Sequence, residues 1–201
     1  MSSPEVVAIP NGQFAENCYL VADAAAREAV IIDPGEESGR FLAELERRGW
    51  ALRAIWLTHA HIDHIMGVGA VHEATGAPIY LHRLDRPLYD ALPQYGGWVG
   101  MQLERPPAPH AELTAGQHLG IGDYRFEVRF TPGHSPGSVS FADFTSGTVD
   151  DPTLGAPAAA QVGPAAGATL ALAPRFSAVY DLFGNARTAL KFSAGRYVGV
   201  L

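Results

Sequence analysis

The alternation of apolar and polar residues predicts a series of short strands and helices. An apolar stripe with helical spacing predicts a helix that Ser38 caps and Gly49 ends. Further helices are predicted at 65–75 and 83–92, and strands at 5–9, 17–22, 29–33, 54–58, 78–82, 124–130 and 139–142. Strands that alternate with helices in this way are typical of an α/β fold.

Segments rich in glycine and proline interrupt this pattern. Residues 93–109 are predicted to form a loop, and residues 116–122 a turn between strands. Residues 147–173 consist mainly of Ala, Gly and Pro, which is typical of a linker. Beyond it, apolar and polar residues alternate on both sides of Gly184-Asn185, which indicates a β-hairpin. We therefore predict a domain at 1–146, a linker at 147–173 and a hairpin tail at 174–201.

Composition and charge narrow the functional classes. A chain of 201 residues is long enough to bury a sizeable core. Its net charge of −7 does not favour binding to nucleic acid or to an anionic membrane. The N-terminal residues lack the pattern of a signal peptide, and no apolar run is long enough to cross a bilayer, so we expect a cytoplasmic protein. Cys18 is the single cysteine, and we expect it to be a small core residue.

Three histidines and an aspartate directly follow the apolar run 54–57. They are His59, His61, Asp63 and His64. Imidazole nitrogen and carboxylate oxygen are ligands that zinc prefers, and His59 and His61 are two apart on an extended segment, so they point the same way. A third ligand must come from elsewhere, and His134 is the strong candidate because Pro132 and Gly133 form a sharp turn before it. Asp63 and His64 are expected to face a second metal position.

This set of residues predicts hydrolysis by a metal-bound hydroxide that attacks an ester, thioester, amide or phosphoester. Asp63 is expected to hold the nucleophile and shuttle its proton, which makes it the candidate catalytic residue. The remaining histidines, His72, His82, His110 and His118, are expected to have structural or surface roles. The partner implied by this chemistry is a small-molecule substrate.

Four motifs resemble those of the metallo-β-lactamase superfamily, and most closely its small glyoxalase II-like hydrolases. They are 14–19 (FAENCY), 32–35 (IDPG), 58–64 (THAHIDH, followed by Gly67) and 131–138 (TPGHSPGS). The resemblance covers about residues 5–142 and implies an αββα sandwich with a dinuclear zinc site between its sheets. It implies that His59, His61 and His134 hold the first metal and that Asp63 and His64 hold part of the second.

One or two zinc ions are expected per chain, with iron or manganese as alternative metals. The implied substrate is a thioester of the hydroxyacylglutathione type, with lactones, β-lactams and phosphoesters as alternatives, and an iron-dependent persulfide dioxygenase shares this fold.

The chain departs from the family pattern after His134. The pattern continues with a strand that ends in Gly-Asp and later with a final histidine, but no histidine follows His134 and no such strand end is evident. Asp150 and Asp151 are weak candidates for the missing aspartate. We therefore expect an incomplete or replaced second half, and a metal-binding remnant without catalytic activity is the alternative function.

The tail at 174–201 resembles a strand pair from TonB-dependent outer-membrane receptor barrels, which suggests a fusion. Each half of the implied fold covers an apolar face of the other. We therefore expect either that the tail completes a sheet or that a second copy covers the gap, and we predict a homodimer.

Overall fold

The computed structural model describes residues 3–143 and, for their backbone strands, residues 171–175, 179–181, 189–191 and 195–199. The chain divides into two compact units, Met1–Asp151 and Pro152–Leu201.

Strands and helices alternate in the first unit, as the sequence predicts. The strands are β1 (Glu5–Asn11), β2 (Glu16–Asp23), β3 (Glu28–Ile32), β4 (Ala51–Trp56), β5 (Ile79–Leu81), β6 (Ala111–Glu112), β7 (His118–Ile121), β8 (Tyr124–Phe130) and β9 (Val139–Asp143). The helices are α1 (Ser38–Arg48), α2 (Ile62–Ile65), α3 (Val68–Thr75), α4 (Arg86–Asp90) and α5 (Leu92–Trp98), with a 3₁₀ turn at Arg83–Asp85.

The first unit contains two sheets. Strands β1 to β6 form one sheet in chain order, antiparallel from β1 to β3 and parallel from β3 to β6. Strands β7, β8 and β9 form an antiparallel sheet. Because β3 and β4 are parallel, the residues that follow them lie at the same edge of the sheet.

Apolar side chains on both faces of the larger sheet are buried, which explains the continuous apolar runs of its central strands. On one face, Ile31 and Ile55 belong to a core that includes Phe41 of α1 and Val71 of α3. On the opposite face, Trp56 packs edge-on against Phe126 of the smaller sheet, with ring centroids 5.6 Å apart. A helical layer, a six-stranded sheet and a second sheet are therefore stacked. This confirms the α/β class, and the described residues form three layers of the implied αββα sandwich.

In the second unit, four described strands form two antiparallel pairs. They are β10 (Ala171–Arg175), β11 (Val179–Asp181), β12 (Ala189–Lys191) and β13 (Gly195–Gly199), with β11 paired to β12 and β10 paired to β13. Val179 lies opposite Lys191, and the hairpin turn between β11 and β12 stays a prediction. Gly184 and Asn185 lie outside the described residues. The domain bounds and the resemblance of the tail to receptor barrels stay predictions.

The helix predicted at 65–75 is two helices, α2 and α3, that meet at Met66 and Gly67. The Gly67 amide donates to the carbonyl oxygen of Pro34 at 3.0 Å instead of continuing one helix from α2. A Cβ at Gly67 would lie 2.3 Å from the carbonyl oxygen of Gly35. Close contact between two backbone segments therefore interrupts the helix beside the histidine cluster.

Three further local predictions are corrected. Ser38 lies inside α1, with Glu37 at the cap position and no side-chain cap. The segment predicted as a loop from Pro93 begins with helix α5, because proline is compatible with the first turn of a helix. The predicted turn at 116–122 contains β7, which has a glycine at positive φ on each side, Gly116 and Gly122. His118 is consequently a strand residue rather than a loop residue.

In the part of the chain that the structure describes, no helix has both the length and the apolar character needed to cross a membrane.

Candidate metal centre

The candidate centre begins where β3 and β4 end side by side. Asp33 follows β3 and has a φ of 52°, a conformation that a non-glycine residue rarely adopts. Its Oδ1 accepts a hydrogen bond from the Thr58 amide at 2.7 Å, and its Oδ2 accepts one from the Thr58 hydroxyl. The strained aspartate thus holds the start of the segment that carries the histidines.

His59, His61 and His134 converge on one point. His59 and His61 follow β4, whereas His134 lies in the tight loop between β8 and β9. The three ring centroids are 4.5 to 4.7 Å apart. His61 Nδ1 lies 3.0 Å from His134 Nε2, and one ligand atom from each histidine lies within 4.8 Å of the other two. The fold therefore brings three imidazoles together, although His134 is 73 residues from His61 in the sequence.

The donor atoms suit a metal ion. Two nitrogens bound to one tetrahedral zinc at about 2.0–2.1 Å lie roughly 3.3 Å apart, close to the separation of His61 and His134. His59 Nε2 is buried and has no hydrogen-bond partner among the described residues, which is costly for a polar atom without a ligand. His59 Nδ1 lies 3.0 Å from the Thr58 hydroxyl, and this contact orients the ring. A hydrogen bond between His61 and His134 alone would leave His59 Nε2 unexplained.

The electrostatic environment keeps two of these rings neutral, as metal binding requires. Burial, together with the positive charge that His64, His61 and His134 can carry, lowers the pKa of His59 to about 3. Burial and the neighbouring His134 also lower the pKa of His61. Both side chains therefore offer a free lone pair at neutral pH.

His64 lies beside the first cluster, in a second group of polar side chains. Its ring centroid is 4.0 Å from that of His59, and its Nδ1 is 3.0 Å from Asp33 Oδ2. Its Nε2 points the other way and is 3.6 Å from Asp63 Oδ2. Burial opposes the charged form of His64, but the hydrogen bond to Asp33 and the charges of Asp33, Asp63 and Glu16 outweigh it and raise the pKa.

Glu16 extends this second group into the core. Its Oε2 accepts a 2.6 Å hydrogen bond from Asn11 Nδ2, and its Oε1 lies 3.8 Å from His64 Nδ1. Burial raises the pKa of Glu16 to about 7 because it outweighs the Asn11 hydrogen bond and the charge of His64. Glu16 Oε1 is buried without a hydrogen-bond partner in the described part of the chain.

The structure thus places all five predicted ligands together: His59, His61 and His134 in one cluster, with Asp63 and His64 beside it. Asp150 and Asp151 lie outside the described residues. The roles of these groups as ligands stay a prediction.

The other histidines make local structural contacts. His72 lies 2.8 Å from the carbonyl oxygen of Ala77, and His110 Nδ1 accepts from the Ile79 amide at 3.2 Å. His82 stacks on Phe130 with ring centroids 4.7 Å apart. None of these three belongs to a group of described side chains that could hold a metal ion. His118 is exposed on β7.

Sequence reasoning missed the supporting carboxylates. Asp33 is predicted only as the end of a strand and as part of the motif at 32–35, although an aspartate that ends one parallel strand must lie beside the end of its neighbour. Glu16 lies within the motif at 14–19, but the sequence assigns it no role. Asp85 was read only as part of a predicted helix, yet it is fully buried and accepts hydrogen bonds from Ala60, Ser135 and Gly137.

Comparison with known proteins identifies the family. The profile of the metallo-beta-lactamase superfamily matches residues 11–149, which is more than half of the chain. The chain belongs to the metallo-beta-lactamase superfamily. The match includes every predicted ligand.

The curated relatives of this chain include two whose names describe activities. A probable metallo-hydrolase of Bacillus subtilis, YqgX, is 38% identical over 136 residues, or 66% of this chain and 63% of the relative. A hydroxyacylglutathione hydrolase of Haemophilus influenzae, GloC, is 30% identical over 137 residues, or 67% of this chain and 64% of the relative. The chain spans 60% to 66% of the length of the first curated relatives it matches.

Solved structures agree with the fold. The B3 metallo-beta-lactamase BLEG-1 is 36% identical and has a TM-score of 0.64. The matched part covers 71% of this chain and 68% of the BLEG-1 chain. TTHA1623, whose structure is of a di-iron-bound form, is 40% identical and has a TM-score of 0.61. The matched part covers 68% of this chain and 66% of the TTHA1623 chain.

Proposed function

We propose that this chain is a zinc-dependent hydrolase that cleaves an ester-like bond. The observation that carries the proposal is the convergence of one ring nitrogen each from His59, His61 and His134, together with a buried His59 Nε2 that has no hydrogen-bond partner among the described residues. Membership of the superfamily supports the same chemistry. Zinc supplies positive charge that acidifies water and polarises a carbonyl group.

The residues of the chain divide the remaining work. His59, His61 and His134 would hold the first ion through their ring nitrogens. Asp33 fixes the orientation of His64 through its Nδ1, so that His64 Nε2 faces Asp63. The Asp63 side chain is 27% exposed, and its carboxylate is therefore accessible to water. Asp63 holds the attacking water molecule and accepts its proton, and together with His64 it offers ligands to a second ion.

The metal identity is part of this proposal. Histidine nitrogens and carboxylates suit zinc, and they also suit iron and manganese. The di-iron form of TTHA1623 supports iron as the alternative. Metal analysis of the protein purified without added metal distinguishes these cases, with zinc as the expected element and iron as the result that would change the assignment.

The proposed substrate class is a thioester of the hydroxyacylglutathione type. The name of the Haemophilus influenzae relative supports it, whereas the name of BLEG-1 supports a β-lactam as the alternative. A panel should contain S-lactoylglutathione, a lactone, a β-lactam and a phosphodiester. We expect the highest kcat/KM with the thioester. Hydrolysis of the β-lactam, the lactone or the phosphodiester in preference to the thioester would reject this substrate class but not the hydrolase.

A metal-binding protein without turnover is the second candidate. It is favoured by the sequence after His134, which contains no further histidine to serve as the final ligand of a second ion. Stoichiometric zinc together with no hydrolysis of any panel member would support it. Turnover of any member that depends on His61 would reject it.

A further inference from the structure

A single buried carboxylate connects the two loops that carry the histidine cluster. Asp85 ends the 3₁₀ turn after β5 and is 0% exposed. Its Oδ2 accepts a hydrogen bond from the Ala60 amide at 3.0 Å and from the Ser135 hydroxyl at 2.6 Å. Its Oδ1 accepts from the Gly137 amide at 2.6 Å. These three hydrogen bonds replace the hydration that the carboxylate loses when it is buried.

The donors flank the histidines directly. Ala60 lies between His59 and His61, and Ser135 follows His134. One oxygen of Asp85 therefore contacts both loops, while the other secures the far end of the second loop at Gly137. The position of one side chain therefore contributes directly to the distance between the two loops.

The packing around Asp85 leaves little freedom. A Cβ at Gly137 would lie 2.7 Å from the Asp85 amide nitrogen and 2.8 Å from its Oδ1, so only glycine fits there. The Ser138 hydroxyl accepts from the Ser135 amide at 3.0 Å and lies 2.8 Å from the Ser135 hydroxyl. The loop after His134 is thus closed on itself and fastened to Asp85.

Two separate contacts hold the two sheets against each other. The Val139 amide donates to the Thr58 carbonyl oxygen at 2.8 Å, and Trp56 packs on Phe126. Loss of the Asp85 contacts should therefore alter the loops without separating the sheets.

We propose that Asp85 is a positioning residue that sets the spacing of His134 relative to His59 and His61 and thereby determines how tightly the cluster binds a metal ion. This inference rests on the metal centre proposed above. Residues that hydrogen-bond to metal ligands commonly orient them. Asp85 acts through the Ala60 backbone of one loop and through the Ser135 hydroxyl and the Gly137 backbone of the other.

An asparagine at position 85 cannot reproduce these contacts. All three partners are donors, and a carboxylate offers two accepting oxygens, whereas an amide offers one oxygen and one donating nitrogen. Whichever way the amide is turned, its nitrogen faces a backbone N–H of one loop. Asp85→Asn therefore releases one loop while changing neither size nor shape.

The experiment measures zinc affinity by competition with a chromophoric chelator, in wild type, Asp85→Asn, Ser135→Ala and the double variant. We expect Asp85→Asn to bind zinc about 10- to 100-fold more weakly, in line with the effect of removing other outer partners of metal ligands. Ser135→Ala should weaken binding less because it leaves both backbone donors in place, and the two effects should be less than additive in the double variant because both changes act on the same carboxylate. The visible spectrum of the cobalt-substituted protein should change in Asp85→Asn.

Asp90→Asn is the matched control, because Asp90 pairs with Arg86 and Arg105. This variant should bind zinc as tightly as wild type does.

Each other outcome has a distinct meaning. Folded Asp85→Asn with zinc affinity within twofold of wild type and an unchanged cobalt spectrum would overturn the positioning role while leaving the metal centre intact. If Asp85→Asn fails to fold, Ser135→Ala decides, and unchanged affinity and spectrum there would overturn the role. Wild type that binds neither zinc nor cobalt would overturn the metal centre and this role with it. Amide exchange adds a readout in the metal-free protein, where Ala60 or Gly137 should lose protection in Asp85→Asn.

Discussion

At the scale of single residues, the candidate centre depends on buried acids as much as on histidines. Asp33 ties Thr58 to His64, and Glu16 lies deeper with one oxygen unpaired among the described residues. A buried carboxylate without full pairing resists ionisation, and its pKa rises. Glu16 should therefore make the stability of the metal-free protein depend on pH.

Replacing Glu16 by Gln should remove part of that dependence. The pKa of Glu16 is about 7 in the fold against an ordinary value of 4.5, so the folded protein binds this proton more tightly than the unfolded chain does. The stabilisation is fully present below pH 4.5 and is lost as pH rises through about 7. Urea unfolding of metal-free wild type and Glu16→Gln at pH 5 and pH 8 should show a smaller decline for the variant. Glu46→Gln, at an exposed site on α1, is the control, and an equal decline in all three proteins would contradict the raised pKa.

At the scale of elements, close backbone contacts shape the segment that carries the histidines. The contact between Gly67 and the Pro34–Gly35 turn divides α2 from α3 and anchors the helix that begins after His61. Periodicity predicted one continuous helix because apolar spacing carries no information about a contact with a turn some 30 residues earlier. The same limit explains why the role of Asp85 was missed, since it depends on residues 25 and 50 positions away.

Gly67→Ala should destabilise the protein. The added Cβ would meet the Gly35 carbonyl oxygen at 2.3 Å, and overpacking of this kind costs about 1–3 kcal/mol in the free energy of unfolding. Gly69→Ala is the matched control, because its nearest contact would be 3.8 Å away, and alanine favours a helix over glycine by roughly 0.5–1 kcal/mol. Urea midpoints should thus move in opposite directions. A Gly67→Ala midpoint at or above that of wild type would refute the contact.

At the scale of the whole molecule, local sequence signals predicted most strands of the first unit, the α/β class and the three histidines that the fold brings together. The strand β8 was predicted at its observed bounds because its alternation is regular and turns flank it. His134 was predicted because the turn before it has a distinctive sequence. The pairing of Asp33 with Thr58 and the helix at Leu92–Trp98 were not predicted, since each depends on tertiary contacts or on proline at a tolerated helix position.

The oligomeric state is a prediction at this scale. Among the described residues of the first unit, the second sheet has three strands, with β7 and β9 as its outer strands. Curated relatives are longer than the part that this chain matches. We expect a homodimer, with a mass near twice 21.4 kDa by light scattering at micromolar concentration. A monomer under those conditions would contradict it.

The central claim is that His59, His61 and His134 bind the ion that makes this chain a hydrolase. The most direct test combines metal content and ester or thioester hydrolysis for wild type and His61→Ala, with His118→Ala as a histidine control on the exposed face of β7. We expect one or two zinc ions per chain in wild type and in His118→Ala, with equal activity. In His61→Ala we expect loss of zinc from the cluster and a fall in kcat/KM to the background rate. Undiminished hydrolysis by folded His61→Ala would contradict the account.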